Sequence, residues 1–319
     1  MCNVTTAIQK YINDELRLSQ TDISSTLKSR EWFLKRIQNV IANRSHEPVL
    51  YATTNFIFFG SYFKGTKVKA VDEYDVLVVI DSNNGKYSSG DTKIGDGQGT
   101  ASPNHKYDKK YYKLDDSGVS PAKMLNWLRG VVTEVTDSFG GEAPIRNGQA
   151  VTATIHSSNL KIDLVPAGIF KRISDGSTFY NIPKGDAGNS WIVTSPRADI
   201  DLLNTVAKNK NDFRNIIRIA KRIKDTYKFQ ISSFAIETAI VYHGYYNKWY
   251  DNLYSDVTTS LAVLANLFRQ GTIQDPYDSE NNLIKNVSNL KWYADRIDTI
   301  VDRLDKCLQM KSCQQLNFV

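Results

Sequence analysis

Three acidic side chains in the first half of the chain have the types and spacing of a metal-binding catalytic site. Glu73 and Asp75 are separated by one residue at the start of a predicted buried strand. Because side chains alternate between the two faces of a strand, Glu73 and Asp75 point the same way. Asp163 lies inside an apolar segment, where a carboxylate is costly unless it is paired or binds a cation. The three carboxylates are predicted to hold two Mg²⁺ ions, for which Mn²⁺ can substitute, and so to catalyse phosphoryl chemistry.

A glycine–serine pair supplies the second chemical feature. Gly60 and Ser61 directly follow the apolar run 56–59, which is predicted to be the end of a strand. A glycine allows close backbone approach, and backbone N–H groups with a serine hydroxyl suit phosphate oxygens. Taken singly, such a pair is more often a turn, and an acid-x-acid pair is more often a solvated rim. Their conjunction with Asp163, with strands between them, indicates a nucleotidyltransferase.

Hydrophobic periodicity predicts the elements that must position these residues. Two helices are expected within 3–44, with Asp22 as the N-cap of the second, and a further helix within 121–139. Strands are expected at 50–59, 74–80, 149–156 and 160–165, and a turn at Gly60–Ser61. Residues 81–118 are predicted to be a long surface excursion with a hairpin near 109–114, and residues 171–196 to be irregular.

The pattern from residue 199 onward is helical. The predicted helices cover 199–208, 211–228, 232–247, 256–270 and 281–309. A mixed first half followed by a helical second half predicts an α+β protein with two domains, residues 1–198 and 199–319.

Charge and composition narrow the class of protein. The 319 residues carry a net charge of +6, and hydrophobic and charged residues make up 41% and 23%, which excludes a disordered chain. The stretch 208–228 contains eight basic and two acidic residues, which equals the whole net charge. Such a local excess predicts either one anionic ligand or one anionic face of a partner. Three cysteines give no disulfide framework, and neither a signal peptide nor a membrane span is evident, so a cytoplasmic location without membrane attachment is expected.

At these motifs the chain resembles a known family. Gly60-Ser61, Glu73-x-Asp75 and a distal strand aspartate resemble the polymerase-β-like nucleotidyltransferase superfamily. The stretches Gly-Ser-Tyr-Phe-Lys-Gly-Thr (60–66), Glu-Tyr-Asp-Val (73–76) and Lys-Ile-Asp-Leu-Val-Pro (161–166) resemble the cyclic GMP–AMP synthase group within it, most of all the bacterial synthases called CD-NTases. The resemblance spans most of the chain. It implies a nucleotidyltransferase lobe with a long N-terminal helix, a helical lobe, and a central cleft between them.

The resemblance also implies roles for three residues of the second half. In this family a lysine on a basic helix and a serine at the start of the next helix hold the donor triphosphate, and an aromatic residue after that serine stacks on the base. The matching positions are Lys221, Ser233 and Phe234. Many members have tyrosine where this chain has Phe234. Asp163 matches the carboxylate that lies nearest the acceptor hydroxyl.

The implied function is synthesis of a second messenger. The enzyme would join NTPs, with ATP and GTP among them, into a cyclic di- or trinucleotide and release pyrophosphate, in bacterial anti-phage signalling. A downstream effector that binds the cyclic nucleotide and a regulatory protein partner are also implied. Vertebrate cyclic GMP–AMP synthase carries a zinc-binding thumb of one histidine and three cysteines, and no such cluster occurs in this sequence. Direct sensing of double-stranded DNA is therefore not expected.

Other functions stay open on the sequence alone. One is another polymerase-β-like nucleotidyltransferase, acting by terminal RNA nucleotide addition or by nucleotidylation of a small molecule or protein. Another is a cyclic GMP–AMP synthase-like animal receptor. A third is a binding or regulatory protein that kept the fold and lost catalysis, although all three carboxylates are present.

Overall fold

The computed structural model describes residues 3–18, 20–68, 72–87, 97–100, 108–114, 118–185, 190–250, 252–277 and 281–310. Within these residues the helices are α1 (Val4–Tyr11), α2 (Gln20–Ala42), α3 (Gly60–Phe63), α4 (Pro121–Asp137), α5 (Pro196–Lys208), α6 (Phe213–Thr226), α7 (Ser233–Tyr246), α8 (Leu253–Gln270) and α9 (Leu290–Met310). The strands are β1 (Phe56–Phe59), β2 (Glu73–Ile80), β3 (Lys86–Tyr87), β4 (Gly97–Gly99), β5 (Ile145–Asn147), β6 (Ala150–Ile155), β7 (Leu160–Arg172), β8 (Thr178–Pro183) and β9 (Trp191–Thr194). The predicted α+β class, with a helical second half, is confirmed.

The chain forms two compact units. The sheet unit contains the described residues of Ser19–Phe63 and Val71–Pro196. The helical unit contains those of Met1–Leu18, Lys64–Ala70 and Arg197–Val319. The helical unit thus includes two short segments from the first half of the chain, which a division after residue 198 does not assign to it. Among the described residues no helix combines the length and apolar character needed to span a membrane.

β7 organises the sheet. It is 13 residues long and pairs in parallel with β2 and antiparallel with β4, β6 and β8. β1 joins the far side of β2 as an antiparallel neighbour. The central strands are apolar runs such as Val76–Ile80, which are buried throughout, as expected for strands covered on both faces. The polar residues at the start of β2 therefore lead directly into a fully buried apolar strand segment.

The helical unit has its own apolar core. The core includes the buried faces of α1, α6, α7, α8 and α9, with Phe213, Phe268 and Ile297 among its fully buried side chains. α6 is strongly amphipathic, since its isoleucines at 216, 217 and 223 are buried in this core while its arginines at 214, 218 and 222 are partly exposed. This segregation is the 3.6-residue periodicity that predicted the helix.

Several boundaries differ from the sequence prediction. α2 begins at Gln20, so Asp22 lies inside the helix rather than at its N-cap. The strand predicted for 50–59 is limited to β1. Gly60 and Ser61 begin the one-turn helix α3 rather than forming a plain turn. The last helix is α9, which begins nine residues later than predicted, because 283–286 form turns.

Two predictions of irregular structure were wrong in part. Residues 171–196 contain β8 and β9, which continue the sheet beyond β7. These strands are only six and four residues long, so their sequences show no clear alternation of apolar and polar residues. Within 81–118, β3 and β4 extend the sheet. Lys109–Tyr111 is a 3-10 helix, and of the hairpin predicted near 109–114 the described residues show the antiparallel bridge between Tyr112 and Val119. Residues 88–96, 101–107 and 115–117 of that excursion lie outside the described residues.

Candidate active site

The predicted carboxylates come together at the start of β2. Asp75 of β2 and Asp163 of β7 are partners in the parallel register, and Glu73 lies two residues before Asp75 on the same face. One carboxylate oxygen from each of the three residues lies within 4.8 Å of the other two. All three side chains are partly exposed. The strand pairing therefore converts a spacing in sequence into one cluster of three acids.

Tyr74 anchors the opposite face of the same strand segment. It is buried, and its hydroxyl lies 2.9 Å from the hydroxyl of Thr26 on α2. The guanidinium of Arg30 lies 4.9 Å from the centre of the Tyr74 ring. Burial raises the pKa of Tyr74, so its hydroxyl stays neutral. With Tyr74 fixed inward, the residues on either side of it must face the other way.

Gly60 allows the backbone to approach the Asp75 carboxylate. Its φ is +71°, and a Cβ at this position would lie 1.7 Å from Asp75 Oδ2. Phe59, the residue before it, is paired with Asp75 across β1 and β2. A side chain of any size at position 60 would displace the carboxylate, so glycine is required by both the conformation and the space. Ser61 follows in the first turn of α3.

Asp163 is oriented by a neighbour that the sequence analysis did not identify. The hydroxyl of Thr152 on β6 donates a hydrogen bond of 2.6 Å to Asp163 Oδ1. The two residues are partners in the antiparallel register of β6 and β7. The only signal in the sequence is a threonine on a strand next to the one that carries Asp163.

The donor set suits a hard divalent cation. Three carboxylates on two adjacent strands offer the oxygen ligands that Mg²⁺ and Mn²⁺ bind, with no sulfur or imidazole in the cluster. The Thr152 hydroxyl also fixes the orientation of one of these carboxylates, which is how metal ligands are commonly held in place. Glu73, Asp75 and Asp163 therefore have the chemistry to hold the predicted ions.

The three residues predicted from the second half belong to the helical unit. Lys221 on α6 is only 4% exposed, and its ammonium group donates to the Glu237 carboxylate and, at 3.1 Å, to the Thr66 hydroxyl. Burial lowers the pKa of Lys221, and Glu237 partly counteracts this. Its charge is thus compensated within the unit. A triphosphate contact from Lys221 stays a prediction.

Ser233 and Phe234 open α7. The N-cap is Ser232, whose hydroxyl accepts a hydrogen bond of 3.1 Å from the Ala235 amide, and Ser233 is the first helical residue. Phe234 lines a cavity of about 230 Å³. The Lys64 ammonium group lies 5.3 Å from the centre of the Phe234 ring, on the wall of the same cavity. Lys64 is a second residue that the sequence analysis did not single out.

The basic face of α6 packs against the segment 64–68. Arg214 donates to the Lys64 carbonyl at 3.0 Å, and Arg218 donates to the Lys67 carbonyl at 3.2 Å. Burial, reinforced by Arg17 and Arg214, lowers the pKa of Arg218 to about 10. Two basic residues of the stretch 208–228 therefore bind backbone carbonyls of the protein itself.

Comparisons with known proteins give a consistent result. Residues 62–182 match the family model described as the Mab-21 protein nucleotidyltransferase domain. A "probable cyclic nucleotide synthase" of Bacillus cereus strain VD146 is 26% identical over 254 residues, covering 77% of this chain and 72% of that protein. A cyclic GMP-AMP synthase-like receptor of Aethina tumida is 23% identical over 269 residues, covering 68% of this chain and 65% of the receptor.

Solved structures share the fold across nearly the whole chain. CdnC of E. coli MS115-1, in a complex with HORMA-deltaN, superposes with a TM-score of 0.66 at 16% identity, covering 95% of this chain and 91% of CdnC. The structure of the same protein with ATP gives a TM-score of 0.64 at 15% identity, with coverage of 95% and 92%. At this level of identity the likeness shows the fold alone.

Proposed function

We propose that this chain, whose residues 62–182 match the Mab-21 nucleotidyltransferase domain, is a nucleotidyltransferase that joins NTPs into a cyclic di- or trinucleotide and releases pyrophosphate. The observation that carries the proposal is the cluster of Glu73, Asp75 and Asp163, whose carboxylate oxygens lie within 4.8 Å of one another beside Gly60. The homology to a bacterial cyclic nucleotide synthase supports the cyclic product over a polymer.

The protein's own residues would position the reacting groups. Glu73, Asp75 and Asp163 would hold divalent cations, which when bound neutralise phosphate charge and activate the attacking hydroxyl. Gly60 and Ser61 would bind phosphate oxygens through a backbone N–H and a hydroxyl. Lys221, Ser233 and Phe234 would contribute to the donor nucleotide's triphosphate and base sites. The acceptor hydroxyl would attack the α-phosphorus in line, and pyrophosphate would leave.

We assign Asp163 as the general base that accepts the proton of the acceptor hydroxyl. The Thr152 hydrogen bond to Oδ1 restrains the rotation of this carboxylate, so its orientation is set before substrate binds. A base that is already oriented does not have to reorganise during the reaction. Such positioning before the reaction is a usual source of rate acceleration in phosphoryl transfer. A second transfer would then close the ring of the linear intermediate.

Partners follow by analogy with CdnC, which has been solved with ATP and in a complex with HORMA-deltaN. ATP is accordingly proposed as one substrate, and a separate protein as a regulator of activity. We further place the product in anti-phage signalling through an effector that binds the cyclic nucleotide. Loss of phage protection on Asp75→Asn substitution, in cells that carry the chain and its genomic neighbours, would support this role.

Product analysis tests the activity directly. The purified protein is incubated with all four NTPs and Mg²⁺ or Mn²⁺, and products are identified by mass spectrometry after phosphatase treatment. The expected result is a phosphatase-resistant cyclic oligonucleotide that disappears with Asp75→Asn, while circular dichroism shows an unchanged fold. A labelled product made equally well by Asp75→Asn, or a requirement for tRNA or another acceptor, would refute the proposal.

A further inference from the structure

Glu237 lies at the centre of a buried polar cluster in the helical unit. It is 5% exposed. Its Oε2 accepts from Lys64 Nζ at 3.2 Å, and its Oε1 accepts from the Thr66 hydroxyl at 2.6 Å and from Lys221 Nζ. Three donors from two other parts of the helical unit therefore converge on this one carboxylate. The residue connects α7 to α6 and to the segment 64–68.

The charges of the cluster balance internally. Lys64 also donates to Asp199 at 3.3 Å, so two lysines face two carboxylates. Burial would raise the pKa of Glu237, but Lys221 and Lys64 outweigh it and hold the pKa below its usual value. For Lys64, burial is outweighed by Glu237 and Asp199, which raise its pKa. The ion pairs of Lys221 and Lys64 with Glu237 depend on the Glu237 charge, since removing one member of a buried ion cluster leaves the others uncompensated.

The segment 64–68, which Glu237 contacts through Lys64 and Thr66, lies shortly after Gly60 and Ser61 in the chain. Lys64 follows Gly60 and Ser61 by one helical turn, and Thr66 lies two residues further on. Arg214 and Arg218 bind the carbonyls of Lys64 and Lys67, so both the backbone and the side chains of the segment are fixed. Lys64 also holds its ammonium group over Phe234 at the small cavity. One carboxylate therefore positions both a cation at the cavity and the residues that directly follow α3.

We propose that Glu237 is a positioning residue for nucleotide binding. It fixes Lys64 at the Phe234 cavity and restrains the residues that follow Gly60 and Ser61, and Lys221 serves it as counter-ion. The inference rests on the proposed function, because it assigns the nucleotide site to these residues. It adds Glu237, Lys64 and Thr66, which act through contacts distant in sequence.

A matched pair of variants tests the proposal. Glu237→Gln keeps the shape of the side chain and removes its charge. Asp256→Asn does the same to another buried carboxylate of the helical unit, which pairs with Lys210 and accepts from the Tyr250 amide at 2.8 Å. The readouts are the dissociation constant for ATP with Mg²⁺, the separate values of KM and kcat, and amide hydrogen exchange of residues 60–68.

We expect Glu237→Gln to weaken ATP binding and raise KM by about 10-fold or more with little change in kcat, because ground-state and transition-state binding are lost alike. Amide exchange of residues 60–68 should accelerate in the same variant. Asp256→Asn should leave all three readouts unchanged. Lys64→Met should reproduce the loss of ATP affinity, and Lys64→Arg should restore most of it. If Glu237→Gln does not fold, Thr66→Val, which removes one of the three donors, should show the same changes at smaller size.

Two results would overturn the proposal. One is a folded Glu237→Gln variant with the ATP affinity and exchange rates of the wild type. The other is an equal loss in Asp256→Asn, which would reduce the role of Glu237 to general stability. A wild type that binds ATP but makes no cyclic product would refute the proposed function instead, and the ATP-binding comparison would still decide the role of Glu237.

Discussion

Replacing Gly60 with alanine should displace the Asp75 carboxylate and so lower the activity far more than it lowers the stability of the fold. The new Cβ would lie 1.7 Å from Asp75 Oδ2 and 2.5 Å from its Cγ, whereas ordinary van der Waals contact begins at 3.4 Å. The carboxylate must therefore move by at least about 1.7 Å, or the backbone must shift. Because a misplacement of about 1 Å can cost ~100-fold in rate, we expect kcat to fall by ~100-fold or more.

The conformation of Gly60 adds a separate and smaller effect. A residue with a Cβ at φ +71° costs about 1–2 kcal/mol in the free energy of unfolding. Gly176→Ala provides the matched control, because Gly176 has a φ of +69° in the sheet unit and no heavy atom within 4 Å of a Cβ placed there. The control should lose similar stability in urea unfolding and keep its activity.

Pyrophosphate release from NTPs with Mg²⁺ measures the rates, and Mn²⁺ titration by calorimetry reports the carboxylate cluster independently of the product. If Gly60→Ala retains kcat and Mn²⁺ affinity within a few-fold of Gly176→Ala, the reasoning from close packing is refuted.

Three further substitutions test the site and its support. Thr152→Val removes the donor to Asp163 Oδ1 and should raise the Mn²⁺ concentration for half-maximal activity by about 10-fold; an unchanged titration curve would contradict this. Thr26→Val weakens the hydrogen bonding of the buried Tyr74 hydroxyl and should cost about 1 kcal/mol in urea unfolding, with no loss in the control Thr133→Val, whose hydroxyl bonds only within an exposed helix turn. Glu237→Gln gives a pH test, since Lys221 and Lys64 outweigh burial and hold the Glu237 pKa below 4.5. Its stabilisation is then present above pH 4.5 and lost as pH falls through the folded pKa, so the stability gap between wild type and variant should narrow only below 4.5.

Strand periodicity predicted which carboxylates could form the cluster, whereas the position of Asp163 beside Asp75 depends on the pairing of β2 with β7. Glu73 and Asp75 share a face because the side-chain repeat of a strand is two residues, and Asp163 was conspicuous as a charge in an apolar run. The same local logic located α4 and α6 to within two residues. It failed at β8 and β9, whose short apolar stretches become strands because β8 pairs with the long strand β7 and β9 in turn pairs with β8.

Contacts between residues far apart in sequence were decided by the tertiary structure. Nothing in a single sequence specifies that Thr152 lies opposite Asp163, because that register depends on how β6 and β7 pair. Nor does it specify that Glu237 receives Lys64, whose contact spans 173 positions. The sequence alone determined which residue types lie on which face of each element, since that depends on neighbours two to four positions away. Only packing decided which of these faces meet. The burial of Lys221 beside Glu237 and the contact of Gly60 with Asp75 are consequences of that packing.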